Sequence, residues 1–126
     1  MKITGIGTDI VQIERIKRAN KRHSSFVKRI LHPNELAIYH DHVQQDHYLA
    51  KRFAAKEAFS KAVGTGIRGD IQWMDIETKN DTLGKPFFQF HGATQHYLQQ
   101  VGISESHLSL SDELEYAIAY VILIGH

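Results

Sequence analysis

The chain has 126 residues, a formal net charge of +1 at pH 7 and no cysteine. This length fits one domain with a modest core, and the near-neutral charge gives no overall field that would indicate a nucleic-acid partner. The lack of cysteine excludes a disulfide scaffold, a thiolate metal site and a cysteine nucleophile, and is compatible with a reducing cytoplasm. The N-terminus lacks the apolar length of a signal peptide, and the longest apolar run, 116–124, is too short to cross a bilayer. We therefore expect a single cytoplasmic domain, residues 1–126, without a membrane partner.

Residues 3–11 predict the first strand. Branched residues alternate with Gly7 and Asp9, so the two sets of side chains face opposite ways. Asp9 is unusual there, because aspartate is depleted in strands. It fits either a turn or capping residue before the next helix, or a carboxylate held at a rigid strand end, where it would be a good ligand for a hard cation.

From residue 11 or 12 to about residue 22 the spacing predicts an amphipathic helix. Ile13 and Ile16 line one side, and Arg15 and Arg22 belong to a basic side. A face of one charge sign is either simply solvated or a docking surface for an acidic partner, whose approach the charge would speed and orient. Nucleic acid is the less favoured partner, since no binding motif and no stacking aromatics accompany the cations.

A second helix is predicted to begin at Pro33, which suits the first turn of a helix, and to run to about His42. His40, Asp41, His42 and His47 lie close together near its end. Their spacing matches neither HExxH nor a structural zinc motif, so a polar loop is favoured over a zinc site.

The stretch LAKRFAAKEAFSKAV, residues 49–63, predicts a long central helix without proline or glycine. Small side chains share one side and would let it pack closely on a sheet, and apolar residues lie nearly all round, which indicates burial. Glu57 and Lys61 are four residues apart, so the simplest interpretation is a helix stabilised by its own ion pairs. The alternative is that these charges have partners elsewhere in the fold.

Glycines 64, 66 and 69 follow this helix. They indicate either a plain helix stop or a loop that approaches a ligand, but not a phosphate-binding P-loop, whose spacing is missing. The last strand is apolar on both faces, which predicts a central place in a sheet or a contact with another subunit. The remaining predicted elements are strands at 74–79, 87–90, 107–110 and 116–124 and a helix at 93–101.

Two motifs in this order resemble the signatures of a known family. GIGTDIVQIERI (5–16) and RFAAKEAFSKAVGTG (52–66) are similar to the 4'-phosphopantetheinyl transferases, most closely to their short bacterial type, the holo-[acyl-carrier-protein] synthases. DTLGKPFF (81–88) and HLSLSDELEYAIAYVI (107–122) extend the resemblance over essentially the whole chain. It implies an α+β fold, with a small, mostly antiparallel sheet packed with helices around one long central helix. Asp112 stands where the family often has histidine, and Thr8 where it often has a larger aliphatic residue.

The resemblance implies transfer of 4'-phosphopantetheine from coenzyme A to a serine of apo acyl carrier protein, in fatty acid biosynthesis. Adenosine 3',5'-bisphosphate is the by-product. Magnesium is the implied cofactor, and Asp9 and Glu57 match the family's metal carboxylates. Two carboxylates from separate elements, with pyrophosphate oxygens and waters, make the oxygen-only shell that Mg²⁺ prefers. A water held by the metal and relayed by Glu57 or Asp9 is the preferred base for the serine hydroxyl.

The same resemblance gives further residues expected roles. Lys61 joins Asp9 and Glu57 as catalytic, because it matches the lysine near the pyrophosphate. Arg15 and Arg22 match positions on the helix that grips the acidic recognition helix of the carrier, which favours the docking interpretation. The residues expected to bind coenzyme A are Arg52, Ser60, Lys61, Gly64, Gly66, Pro86 and His107.

The short members of the family are homotrimers with active sites between neighbouring protomers, and the resemblance implies the same assembly here. Two other functions stay open at this point. A non-catalytic module could bind acidic proteins or RNA through residues 15–29, but it leaves Asp9, Glu57 and the glycine loop unused. A different magnesium enzyme, such as a phosphohydrolase, could act on a nucleotide.

Overall fold

A three-stranded sheet with one long helix packed across it forms the centre of the fold in the computed structural model, which describes residues 1–126. A short 3₁₀ turn at Trp73–Asp75 precedes the second strand. In chain order the elements are β1 (Lys2–Gln12), α1 (Ile13–Arg22), α2 (Phe26–Ile30), α3 (Pro33–Asp41), α4 (Gln45–Val63), β2 (Ile76–Asn80), β3 (Pro86–Phe90), α5 (Gly92–Gln100), β4 (Ile103–Asp112) and β5 (Tyr116–Gly125).

The main sheet has the order β1-β5-β4, with both pairs antiparallel. The central place predicted for the apolar last strand is therefore confirmed. β2 and β3 form a separate antiparallel hairpin. Asp9 pairs with Ala119, whereas His107 pairs with Ile122. Because these two positions of β5 differ by an odd number of residues, Asp9 and His107 lie on opposite faces of the sheet.

Two glycines of β1 let α4 lie directly against the sheet. A Cβ atom on Gly7 would overlap the carbonyl oxygen of Ala58, and one on Gly5 would overlap that of Ala62. Both alanines of α4 are buried, so the contact is made by backbone and methyl groups. The close packing predicted from the small side chains is confirmed, and it brings the α4 backbone alongside the strand that carries Asp9.

The core lies between α4 and the inner face of the sheet. Phe59 of α4 is fully buried and packs against Phe88 and Phe90 of β3, with ring centroids 5.6 and 4.7 Å away. From β5, Val121 and Leu123 point to the same core and have no exposed surface. Burial of this apolar area supplies most of the driving force for folding.

The outer face of the same sheet is apolar and exposed. Ile6 and Ile10 of β1 are 58% and 61% exposed, and Ile118 and Tyr120 of β5 are 42% and 44% exposed. Side chains of this kind on two adjacent strands form a contiguous patch of the type that marks contact surfaces.

Element limits differ from the sequence predictions at three places. Helix α4 begins at Gln45, one turn before residue 49, and its first polar residue is held by α3, since the Gln45 side-chain amide donates to the carbonyl of Tyr39 at 3.0 Å. Strand β4 extends over 103–112, since its polar residues are held by pairing with β5. The strand predicted from residue 74 begins at Ile76, after the 3₁₀ turn. No helix combines the length and apolarity needed to cross a membrane.

Candidate active site

A cavity of about 380 Å³ opens where the end of β1 meets α1 and α4. Three charged side chains line it: Asp9, Arg15 and Glu57. The rest of the wall is apolar and consists of Ile10, Val11, Ile16, Ala19, Phe26 and Phe53. Opposite charges therefore stand in one largely apolar recess, where electrostatic interactions are stronger than in bulk water.

The two carboxylates meet because of the contact between β1 and α4. Asp9 lies on the inner face of β1, two residues after Gly7, and Glu57 directly precedes Ala58, whose carbonyl meets Gly7. The turn or capping interpretation of Asp9 is wrong, because the strand continues to Gln12. The fold thus places the carboxylate of a strand beside the carboxylate of a helix.

Lys61 bonds to the strand rather than to its own helix. Its Nζ atom donates to Asp9 Oδ1 at 2.9 Å and to the carbonyl of Thr8 at 3.2 Å. The intrahelical ion pair expected between Glu57 and Lys61 is wrong, since Lys61 makes its salt bridge with Asp9. The lysine side chain is half exposed, so it can exchange partners at little cost.

Glu57 has no hydrogen-bonded cation of its own. Burial raises the pKa of Glu57, the charge of Asp9 raises it further, and Lys61 opposes both effects only in part. Folding therefore brings two negative charges together without fully neutralising them. A raised carboxyl pKa in a cleft is typical of functional sites.

Asp9 and Glu57 fit a hard divalent cation. Both supply carboxylate oxygens from rigid elements into one cavity, and the repulsion between their charges, which helps burial to raise the pKa of Glu57, is one that a cation between them would relieve. Oxygen-only ligand sets of this kind suit Mg²⁺, which retains water and substrate oxygens in its remaining positions.

Arg52 is fixed inside the protein instead of lining this cavity. Its Nη2 atom donates to Asn80 Oδ1 at 2.9 Å, and its guanidinium lies 4.4 Å from the centre of the Tyr48 ring. Asn80 pairs with Pro86 at the end of the β2–β3 hairpin, so Arg52 and Pro86 lie near each other. Arg52 Nε has no hydrogen-bond partner, although Glu35 Oε2 is 4.0 Å away.

Ser60, Gly64 and Gly66 form the end of α4. The Ser60 hydroxyl donates to the carbonyl of Glu57 at 2.7 Å, and the Ser60 carbonyl accepts from the N–H groups of Gly64 and Gly66 at 3.0 and 3.2 Å. Gly64 has φ +95°, a left-handed conformation that ends helices and favours glycine. Open space lies beside both glycines, so this turn ends the helix and also leaves room for a ligand.

His107 lies apart from the cavity of its own chain. Its ring is exposed on the outer face of the sheet, where Nε2 is 3.2 Å from Glu105 Oε2. Asp112, at the end of the same strand, has its carboxylate 3.7 Å from Lys51 Nζ of α4. A histidine at position 112 would not make this ion pair at neutral pH, which gives the departure from the family pattern a structural role.

The basic side of α1 leads away from the cavity. Arg15 lines the cavity and also a shallow surface depression that it shares with Arg18, Ala19 and Arg22. We call these three arginines the basic stripe. Opposite it, Ile13 and Ile16 are buried, which confirms the predicted amphipathic helix.

Sequence reasoning missed a buried ion pair between α3 and α4. Lys56 Nζ lies 2.6 Å from Glu35 Oε1, and both side chains are fully buried. The lysine also donates to the carbonyls of Ile30 and Trp73 at 2.5 and 3.1 Å. Burial lowers the pKa of Lys56, while Glu35 acts to raise it. The position of Glu35 three residues after His32 is a recognisable capping-box spacing, and the two residues form that box in the structure. Nothing in the sequence near Glu35 indicates that Lys56 is its partner.

The histidines near the end of α3 make no metal site. His40, Asp41, His42 and His47 are not among the side chains that converge in the structure. Three potential ligand atoms come together only at His32, Glu77 and His91. The polar loop favoured for this stretch covers only residues 42–44, because His40 and Asp41 end α3 and His47 lies in the first turn of α4.

The comparisons with known proteins agree with this geometry. The sequence profile of the 4'-phosphopantetheinyl transferase superfamily matches residues 5–121. The holo-[acyl-carrier-protein] synthase of Vibrio parahaemolyticus is 50% identical over 124 residues, 98% of each chain. The crystal structure of the synthase from Neisseria meningitidis has a TM-score of 0.94 at 48% identity, covering 98% of this chain and 99% of that one.

A third relative was crystallised with a ligand. The holo-(acyl-carrier-protein) synthase of Bacillus anthracis, in complex with CoA (3',5'-ADP), has a TM-score of 0.82 at 37% identity, with 98% of both chains covered. The α+β fold expected from the sequence is confirmed by these structural likenesses. The chain belongs to the 4'-phosphopantetheinyl transferase superfamily, and its near relatives within it are holo-[acyl-carrier-protein] synthases.

Proposed function

We propose that the chain transfers 4'-phosphopantetheine from coenzyme A to a serine hydroxyl of apo acyl carrier protein, in fatty acid biosynthesis. The observation that carries the proposal is one cavity that holds Asp9 and Glu57 and opens onto the basic stripe. The two carboxylates would hold a divalent cation with the pyrophosphate of coenzyme A, and the basic stripe suits an acidic helix of the carrier. The relatives named above, one of them crystallised with coenzyme A, support this reading.

Magnesium is the proposed cofactor, held by the carboxylates of Asp9 and Glu57. When bound, it supplies Lewis-acid polarisation of the attacked phosphorus and stabilises charge on the leaving phosphate. Lys61, now bonded to Asp9, is mobile enough to turn its ammonium toward the pyrophosphate. Glu57 is the proposed acceptor of the serine proton on its carboxylate, directly or through a water, because it lines the cavity while Lys61 pairs with Asp9 instead. Serine oxygen then bonds to phosphorus, and adenosine 3',5'-bisphosphate leaves.

The proposed coenzyme A site divides into contact and positioning residues. Gly64 and Gly66 border open space and offer bare backbone to the nucleotide. Ser60 holds the turn that carries them, and Arg52 holds the hairpin that ends at Pro86. Both side chains are almost fully buried, which supports positioning over direct contact. We place the reaction in the cytoplasm, because a chain without cysteine makes no use of an oxidising compartment.

We also propose a homotrimer with active sites between protomers. His107 and Asp9 lie on opposite faces of one sheet, so a single chain does not bring both to one coenzyme. The exposed apolar patch of that outer face supports a protomer contact that would carry His107 to a neighbour's cavity. Light scattering is expected to give three times the chain mass. Complementation between two inactive variants is the sharper test. A Glu57→Gln chain is mixed with an equal amount of a His107→Ala chain, and a site is intact only where a chain that keeps Glu57 meets a neighbour that keeps His107. Random assembly is therefore expected to restore about a quarter of the wild-type activity.

Mass spectrometry of an apo acyl carrier protein tests the activity. After incubation with coenzyme A and Mg²⁺, the carrier is expected to gain one phosphopantetheine and an equal amount of adenosine 3',5'-bisphosphate to appear. Glu57→Gln is expected to slow this about 100-fold or more while coenzyme A still binds, and Glu113→Gln, at an exposed turn, is the matched control. Nucleotide breakdown with an unmodified carrier would instead support a phosphohydrolase. RNA binding with neither outcome would support a binding module.

A further inference from the structure

Three potential metal ligands converge at a place that the proposed transfer reaction does not use. His32 Nδ1, Glu77 Oε1 and His91 Nε2 all lie within 4.8 Å of one another. They come from the residue before α3, from β2 and from the residue before α5. The two imidazole rings are stacked, with centroids 4.5 Å apart and an interplanar angle of 17°.

The central carboxylate is buried and charged. Glu77 is 2% exposed, and its Oε1 atom is 2.8 Å from His91 Nε2 and 3.7 Å from His32 Nδ1. Its other oxygen, Oε2, accepts from the side-chain amide of Asn34 at 3.2 Å. Burial acts to raise the pKa of Glu77, but the hydrogen bonds from His91 and Asn34 outweigh it, so its pKa lies below the usual range.

No lysine or arginine forms a salt bridge with this carboxylate; its close partners are Asn34 and the two imidazoles, and the charge of Lys79 acts on it from farther away. A buried carboxylate needs a compensating positive charge nearby, and two sources fit at contact distance: a proton on an imidazole or a metal ion between the three groups. Neutral imidazoles and a carboxylate are ligands of Zn²⁺, and two histidines with one glutamate form a known three-ligand set that leaves a position for water.

We propose that His32, Glu77 and His91 form a binding site for Zn²⁺, separate from the carboxylate pair in the cavity. The histidine side chains are 19% and 31% exposed, which gives the ion a route from solvent. Binding tilts the stacked rings so that their lone pairs converge. His32 Nδ1 accepts a hydrogen bond from the backbone N–H of Asn34 at 3.1 Å. On metal binding, Nδ1 gives up this hydrogen bond and coordinates the ion instead. The site ties the starts of α3 and α5 to β2.

Titration calorimetry with Zn²⁺, in the presence of excess Mg²⁺, tests the proposal on the intact protein. One Zn²⁺ per chain is expected to bind, and His32→Asn or His91→Asn is expected to weaken it roughly tenfold or more. Asparagine is chosen because it caps helices well, so both variants are expected to fold. His96→Asn, on the exposed side of α5, is the matched control and is expected to bind like the wild type.

Cobalt gives a second readout that separates this site from an oxygen-only site. Co²⁺ with two imidazole ligands in a four-coordinate site absorbs strongly in the visible range, whereas an octahedral oxygen site absorbs weakly. We expect the strong band in wild type and in His96→Asn, and its loss in His91→Asn. Equal Zn²⁺ affinity in wild type and His91→Asn would overturn the proposal. So would no binding in the wild type, in which case a protonated imidazole neutralises Glu77.

Discussion

The buried pair of Lys56 and Glu35 predicts a large loss of stability in Lys56→Met. Methionine keeps most of the side-chain length but leaves the Glu35 carboxylate, 1% exposed, without its hydrogen-bonded cation, and only Arg52 Nε, 4.0 Å away, remains as a positive neighbour. Breaking a buried ion pair from one side costs about 3–5 kcal/mol. Glu35 keeps two hydrogen bonds, from the backbone N–H groups of His32 and Thr78 at 2.9 and 2.8 Å, which places the electrostatic loss near the lower end. Two carbonyls also lose the lysine as donor, at about 1 kcal/mol each.

The expected total for Lys56→Met is therefore about 3–5 kcal/mol, a large part of the 5–15 kcal/mol typical of a domain. Urea unfolding followed by the fluorescence of Trp73, the only tryptophan, measures it at one fixed protein concentration. Lys61→Met is the matched control, since its pair with Asp9 is half exposed and is worth about 0–1 kcal/mol. A double-mutant cycle with Glu35→Gln isolates the interaction of the pair. The free energy of unfolding of the double variant is expected to fall by about 2–3 kcal/mol less than the sum of the losses in the two single variants. Additive losses, or a Lys56→Met loss below about 1 kcal/mol, would refute the reasoning.

Three further predictions concern the cavity and its surroundings. Gly7→Ala is expected to lower the free energy of unfolding in urea by about 1–3 kcal/mol or more, because the new methyl group would overlap the α4 backbone. Thr8→Ala, on the outer face of the sheet, is the control and is expected to cost less. Equal losses in the two variants would contradict this prediction. Glu57→Gln is expected to melt at a higher temperature than the wild type at pH 7. The raised pKa of Glu57 means that the wild type loses stability as the pH rises above the ordinary value of 4.5, so the difference should vanish below that pH. Arg15→Glu is expected to weaken binding of the carrier protein about tenfold at low salt and to leave the affinity for coenzyme A unchanged. Lys2→Glu is the control and is expected to have little effect on either affinity. A carrier affinity of Arg15→Glu equal to that of the wild type would count against docking on α1.

The sequence was informative where local spacing carries the structure. The alternation around Asp9 predicted a strand, the alanines of 49–63 predicted close packing of a helix, and the two-sided apolar run predicted a central strand. Each of these follows from a period of two or 3.6 residues and needs no knowledge of distant contacts. Element limits were less predictable, because β4 is extended by its pairing with β5 and the first turn of α4 is held by a contact with α3.

The partners of the charged residues were not predictable from spacing. Lys61 was expected to pair within its helix, but the contact between β1 and α4 brings Asp9 closer. The helix of Lys56 was expected to be buried, but spacing did not indicate that the partner of Lys56 is Glu35, 21 residues away. Arg52 stays an expected coenzyme residue, and its hydrogen bond to Asn80, 28 residues away, was not indicated by spacing. Such pairs depend on which distant elements meet, and that is decided by tertiary packing rather than by local pattern.

Lys56 and Glu57 are neighbours on α4 with opposite surroundings, one sealed in the interior and the other at the mouth of the cavity. Successive residues of a helix point about 100° apart, so anchoring the first side chain also sets the angular position of the second. The buried ammonium of Lys56 therefore helps to fix the direction in which the Glu57 carboxylate points. Attempts to retune this enzyme toward other carriers should leave α4 intact and vary α1, which contributes only two buried residues and no interior charge.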